Sequence, residues 1–150
     1  MSESILIIPM QNITFKLIPP SEIQTALPLL MLLNKDETKD ILFERLIEMT
    51  SQNYECVGVY NGSRLIGISG LWFQTRHYSG RSIEPDHVII HDDYRNKGIG
   101  KQLFDWIDNY AKDKGCAAVE LNSYVANTAS HKFYYNEDFV IMGFHFVKRF

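Results

Sequence analysis

The chain has 150 residues and a net charge of −3, enough for one ordinary hydrophobic core and too short for two comfortable ones, so a single domain over residues 1–150 is expected. The mildly acidic balance leaves no basic footprint for nucleic acid, and the longest unbroken apolar run, Ala26 to Leu33, is far short of a membrane span. Two cysteines, Cys56 and Cys116, are too few for a disulfide framework, and the N-terminus lacks a signal peptide's basic region, so the expectation is a cytoplasmic protein with reduced thiols and no membrane partner.

In chain order, Met1 to Asn12 shows no clear period, and its first residues read as a loose end. Ile13, Phe15 and Leu17 alternate with polar neighbours as a half-buried strand does, ending at Pro19-Pro20. Ser21 stands where an N-cap belongs, and Ile23, Leu27, Leu30 and Met31 follow at helical spacing, with Pro28 forcing a kink or a restart. A second helix is predicted from Asp36 to Met49. Tyr54 to Tyr60 and Leu65 to Phe73 read as strands of an antiparallel hairpin, joined through Asn61-Gly62-Ser63. Gln74 to Ser82 is polar and reads equally as a loop or as the tip of a longer hairpin. A further strand runs from Ile83 to His91, where Pro85 predicts locally broken pairing at an edge or bulge.

Ile99, Leu103, Trp106, Ile107 and Tyr110 mark one face of a long helix, and Gly115 is its stop. Ala117 to Leu121 reads as a short strand covered on both faces, parallel to the strand before the helix. A fourth helix is predicted behind Asn127 as N-cap, then a closing strand from Phe139 to Lys148. The fold class is therefore α/β with a mixed sheet, in the order β-α-α-β-β-β-α-β-α-β. The histidines do not suggest a metal: His87 and His91 lie about 13 Å apart if both are on a strand, and the others are scattered singly.

The stretch Tyr94-Arg-Asn-Lys-Gly-Ile-Gly-Lys-Gln-Leu103 concentrates the chemistry. Gly98 and Gly100 allow a tight turn and close approach to a ligand. The helix that starts there offers free N–H groups and the positive end of its dipole, which suit a phosphate. Arg95, Lys97 and Lys101 add positive charge. The dinucleotide fingerprint fails because Leu103 stands where its third Gly should, which argues against a nucleotide-dependent oxidoreductase, and the Walker A pattern fails too.

Two segments carry a family resemblance. Val88-Ile89-Ile90-His91-Asp92-Asp93-Tyr94-Arg95-Asn96-Lys97-Gly98-Ile99-Gly100 is similar to the signature strand and pyrophosphate loop of the GNAT superfamily of acyl-CoA-dependent N-acyltransferases. Asn127 to Tyr134, followed by Phe139, resembles its second signature. The resemblance implies a GNAT-like fold, with a central mixed sheet flanked by about four helices, and acetyl-CoA as cosubstrate. It further implies that Val88, Ile89 and Ile90 pair with the pantetheine arm, that Arg95, Asn96, Lys97, Gly98, Ile99, Gly100 and Lys101 hold the pyrophosphate, and that Asn127 and Tyr134 match the family's Asn and Tyr. Two departures stand out. Asp138 replaces the usual Gly before Phe139, and the sequence ends at Phe150 with little room for a seventh strand. The open sheet edge this leaves calls for a cover, and a homodimer is one expectation.

Transfer of an acetyl group to an amine requires a neutral amine, a donor for developing negative charge and a proton for the departing thiolate. Asp86, then Glu84, are the candidate bases; the competing reading makes both solvated strand-end carboxylates. Alternation puts them on one face and His87 on the other if no bulge intervenes. A backbone N–H near Ile89 or Ile90 suits the oxyanion. Tyr134 is the candidate acid, with a core aromatic as its structural alternative, and Tyr135 is a packing residue. The expected function is acetyl transfer from acetyl-CoA to a primary amine of a small molecule or peptide, the alternative being a non-catalytic acyl-CoA-binding module.

Overall fold

The computed structural model describes residues 12–150; the expected loose N-terminal end falls almost wholly outside them. A five-stranded sheet runs β1-β2-β3-β4-β5 in spatial order. Strand β1 (Ile13–Leu17) pairs antiparallel with β2 (Tyr54–Asn61), β2 with β3 (Arg64–Arg76) and β3 with β4 (Gly80–Ile90). Strand β5 (Ala118–Val119) joins β4 in parallel.

Pro28 marks a restart: a 3₁₀ turn over Pro20–Ala26 gives way to helix α1 (Leu27–Leu33), whose first turn tolerates the missing N–H. Helix α2 (Lys39–Thr50) begins three residues later than Asp36, because the Thr38 hydroxyl accepts the Ile41 N–H (3.3 Å) and sets the N-cap there. The polar Gln74–Ser82 stretch proves to be the tip of a long β3–β4 hairpin, turned at Gly80 with φ 77°. Helix α3 (Ile99–Asp113) ends before Gly115, which is left-handed at φ 71°. Helix α4 (Thr128–Asn136) is capped by Asn127, whose side chain accepts the Ser130 N–H (3.4 Å).

Strand alternation divides the core between the two faces of the sheet. On one face Cys56, Ile68 and Ile89 pack with Ile23, Leu27, Leu30, Leu42 and Leu46 from the first helical segments. On the other, Val57, Val59, Ile66, Leu71 and Ile83 meet Ile99, Leu103, Ile107 and Ala111 of α3. Among the described residues no helix is long and apolar enough to cross a membrane.

Three expectations need correction. The irregularity in β4 is not at Pro85, which pairs in register with Leu71; it falls two residues later, where Asp86 faces Gly70 and Ile89 faces Ile68. The Ala117–Leu121 strand shrinks to two paired residues, and Ala118 is exposed rather than covered on both faces. The closing strand over Phe139 to Lys148 makes no ladder among the described residues.

Candidate active site

Strand β4 and the loop after it supply most of the site. The Arg81 carbonyl accepts the Ala117 N–H (2.8 Å) and the Ile83 carbonyl accepts the Glu120 N–H (3.0 Å), so alternate β4 residues face β5. Pro85 is next in that series and has no N–H to offer. The β4–β5 ladder stops at Ile83, and the two strands part into a cleft flanked by Glu84 to Ile90. A parallel strand pair split in this way leaves the edge of β4 open for an extended ligand.

Beyond β4 the chain turns through a 3₁₀ segment, Asp92–Tyr94, with the His91 ring accepting the Asp93 N–H (3.3 Å). Tyr94 anchors the loop: it is almost wholly buried in the α3-side core, and its hydroxyl accepts from the Asn61 amide (3.4 Å). Asn96 (φ 59°) and Gly98 (φ 75°) are both left-handed. Backbone of this kind gathers N–H groups into a concave nest, and Gly98 is also the N-cap of α3, where no side chain fills the capping role. The first N–H groups of α3 therefore have no intrahelical acceptor. A Cβ on Gly98 would meet nothing within 4 Å, so the turn opens onto free space of the kind a diphosphate needs. Gly100 differs: its Cβ would touch the Phe133 ring at 3.6 Å, so there the small residue lets α4 lie close to α3.

The three cations around the turn are unequal. Arg95 donates from Nε to the Ile90 carbonyl (3.1 Å) and pairs with Asp92 (3.0 Å). Lys101 pairs with Asp105 (2.9 Å) and Glu137 (3.6 Å). Lys97 lies over the Tyr94 ring (5.9 Å) and has no ion pair among the described residues. Backbone donors and Lys97 are thus the groups most free to meet an anion.

Both candidate bases are hydrogen-bonded. Glu84 accepts from Asn122 Nδ2 (2.8 Å) across the mouth of the cleft and from Gln74 Nε2 (3.2 Å). Gln74 also donates to Glu120 (2.8 Å), which pairs with Arg76. Asp86 accepts from the Trp72 indole N–H (3.1 Å) and from the His87 backbone N–H (2.8 Å). The next residue departs from simple alternation. In the bulge His87 takes φ 37°, and its ring turns to the Asp86 and Trp72 side, where Nε2 lies 2.7 Å from the Tyr54 hydroxyl. Burial pushes the His87 imidazole below its ordinary pKa and the Tyr54 phenol above its own. His87 Nδ1 is buried without a hydrogen-bond partner among the described residues.

Tyr134 stands on α4 in an aromatic cluster with Phe104, Phe133 and Phe139, ring centroids 5.7–5.9 Å away. Its hydroxyl has no hydrogen-bond partner among the described residues, and burial raises its pKa above the ordinary phenol value. Asn127 spends its side-chain oxygen on capping α4. Asp138 keeps the left-handed turn usual for Gly, at φ 64°. The structure thus sets the Gly98 turn at the end of Val88–Ile90 and packs α4 on the first turns of α3, while no hydrogen bond joins Tyr134 to Glu84 or Asp86. Gln74, Glu120 and Asn122 went unnoticed as cleft residues in the sequence; only cross-strand register brings them together. A hollow of about 460 Å³ between α1 and α2 includes none of these residues.

Residues 24–138 match the model of the acetyltransferase (GNAT) family. The chain belongs to that family. GNAT members typically use acetyl-CoA and acetylate amines, and the open β4 edge beside a left-handed Gly at a helix N-terminus fits such a ligand here. A thialysine N-epsilon-acetyltransferase of Sus scrofa is 30% identical over 64 residues, which is 43% of this chain and 38% of the pig enzyme's length. Among solved structures, a ribosomal-protein-alanine N-acetyltransferase from Brucella melitensis has a TM-score of 0.79 at 21% identity, covering 93% of this chain and 99% of that one. A transcriptional regulator from Bacillus halodurans superposes with a TM-score of 0.80 at 21% identity, over 93% and 100% of the two chains. At such identities the structural likeness establishes the GNAT fold, and the neighbours' different descriptions leave the acceptor of this GNAT chain open.

Proposed function

We propose that residues 1–150 form one N-acetyltransferase domain that moves an acetyl group from acetyl-CoA directly to a primary amine. The observation that carries this reading is Gly98, left-handed and uncapped at the start of α3, immediately beyond the β4 edge that β5 has left. On this reading the backbone of Val88, Ile89 and Ile90 holds the pantetheine arm as an added strand would be held. Asn96 to Lys101 hold the diphosphate, with Lys97 the freest cation and Arg95 stiffening the loop through Asp92.

Bound there, acetyl-CoA supplies the acyl group as a thioester. Asp86 takes the proton of the incoming ammonium, directly or through water, so that nitrogen can attack the carbonyl carbon; the C–N bond forms as the C–S bond breaks. Asp86 is preferred to Glu84 because Glu84, tied to Gln74 and Asn122, braces the mouth of the cleft, whereas Asp86 lies farther along the open edge. A backbone N–H at Ile89 or Ile90 faces the charge growing on the carbonyl oxygen. The Tyr134 phenol donates a hydrogen bond to the leaving sulfur and, through it, the proton. Its raised pKa keeps it protonated at neutral pH.

The test is thiol release from acetyl-CoA over a panel of small amines, aminoglycosides, polyamines, lysine peptides and peptide N-termini. Amine-dependent release supports the reading. Tight binding of CoA with no release for any class would leave a binding module instead.

A further inference from the structure

Two hydrogen bonds hold the Asp86 carboxylate, and one side chain stands behind both donors. Asp86 is exposed, and a carboxylate in that position would ordinarily rotate in water. Instead its Oδ1 accepts the His87 backbone N–H (2.8 Å) and its Oδ2 accepts the Trp72 indole N–H (3.1 Å). The first donor depends on the bulge. His87 has no partner in the β3–β4 ladder, which passes from Gly70–Asp86 to Ile68–Ile89, and at φ 37° its N–H turns to the neighbouring carboxylate. That conformation is uncommon for a residue with a Cβ and persists only where its surroundings hold it.

The residue that holds it is Tyr54. This buried side chain of β2 places its hydroxyl 2.7 Å from His87 Nε2. Gly70 leaves the gap in which the two rings meet: a Cβ there would overlap the His87 imidazole and lie 2.7 Å from the Tyr54 ring. The same phenol ring lies 4.9 Å, centroid to centroid, from the ring of Trp72, its direct partner in the β2–β3 ladder. The hydroxyl of Tyr54 thus fastens the bulge while its ring backs the indole. As mere core filling the arrangement is costly, because His87 carries a strained backbone and a buried Nδ1 with no partner among the described residues. Local costs of this kind gather at functional sites.

We propose that Tyr54 and His87 are positioning residues for Asp86: the Tyr54–His87 bond locks the bulge that presents the His87 N–H, the Tyr54 ring seats the Trp72 indole, and together they aim the carboxylate at the incoming amine. The proposal rests on the transferase reading, in which Asp86 is the base. A base acts only when it is held within hydrogen-bond reach of the proton it takes, and neighbouring packing and hydrogen bonds supply that hold.

A double-mutant cycle on the full chain tests it, read by thiol release from saturating acetyl-CoA with the best amine of the panel. Tyr54→Phe keeps a ring against Trp72 and removes only the hydroxyl. It should lower kcat by about tenfold in the wild-type background and by less than about twofold in the Asp86→Asn background, because an absent carboxylate cannot be misaimed. Acetyl-CoA affinity, by calorimetry, should change by less than about threefold. In ¹⁵N-labelled Tyr54→Phe the His87 amide proton should move upfield as its bond to Asp86 loosens. An equal loss of kcat in both backgrounds, undiminished kcat in Tyr54→Phe, or an unmoved His87 amide would each overturn the proposal. Should Tyr54→Phe misfold, His87→Gly takes its place in the same cycle, since Gly accepts the bulge conformation without strain but brings no ring for Tyr54 to fasten. Absence of turnover by wild type would refute the transferase reading and this proposal with it, whereas turnover with an additive cycle refutes the positioning alone.

Discussion

Asn122 donates to Glu84 across a gap that no backbone hydrogen bond spans, 2.8 Å from amide nitrogen to carboxylate oxygen. It is the tie that closes the mouth of the cleft just past the last paired residues of β4 and β5. Asn122→Ala removes the tie and leaves Glu84 with the Gln74 amide alone. A hydrogen bond to a charged group contributes about 1.5–3 kcal/mol where it is shielded and less at a partly exposed mouth. Acetyl-CoA affinity should therefore fall roughly five- to tenfold, measured by calorimetry, with the far-UV spectrum unchanged.

Gly98 separates strain from charge. A side chain at φ 75° is strained, but Asn tolerates the left-handed region better than most residues. Gly98→Asn should weaken CoA binding a few-fold by filling the open space over the turn. Gly98→Asp, the same shape with a negative charge, should weaken it by at least about tenfold more, and that extra loss should shrink as salt is raised. Equal affinities for the two variants at low salt would show that no anion sits there.

Tyr134→Phe deletes a hydroxyl with no protein partner among the described residues, so stability should change by no more than about 0.5 kcal/mol. Turnover should fall by roughly 10- to 100-fold with CoA affinity retained, since the hydroxyl matters only as charge develops on sulfur. Calorimetry and steady-state kinetics on the same preparation separate the two effects.

The two carboxylates make opposite predictions. Asp86→Asn should lower kcat/KM at neutral pH by roughly 10²-fold, with little change in CoA affinity. Glu84→Gln should act mainly on affinity. The reverse pattern in kinetics and calorimetry would move the base to Glu84.

His87 gives a stability signature. Burial lowers its pKa in the folded state from the ordinary 6.5, so below that pH the unfolded chain binds more protons than the native one. The contribution is fully present above about pH 6.5 and is lost as pH falls from there toward the depressed folded value. Urea unfolding from pH 7.5 to 5 should therefore show a loss of stability that His87→Gln flattens. A loss of the same size in that variant would place the titration elsewhere.

What the sequence made legible follows from where its information is local. The Gly98 turn, the Asn127 cap and the Gly115 stop are fixed by residues within a few positions of each other, and the helices and the β2–β3 hairpin show their periods directly. Features set by register were hidden. The ring of His87 changes face because one extra residue enters the ladder opposite Ser69, and a single-residue slip reverses everything after it. Pro85 did announce a break in pairing. Its missing N–H faces β5 rather than β3, so the break appears as a parting of strands. The Glu84–Asn122 tie joins residues 38 positions apart and depends on that geometry. The stretch beyond Phe139 reads as a strand by composition, yet it joins no ladder among the described residues, because composition alone names no partner strand.

The central claim is that the turn at Gly98 and the free edge of β4 together form the acetyl-CoA site. Titrating CoA into ¹⁵N-labelled protein and following backbone amides tests it most directly. The largest shifts should fall on Val88 to Ile90 and on Lys97 to Gln102, with the amide of Gly98 or of a first-turn α3 residue moving downfield as it gains an anionic acceptor. Shifts gathered instead around the hollow between α1 and α2, with the Gly98 turn silent, would contradict it.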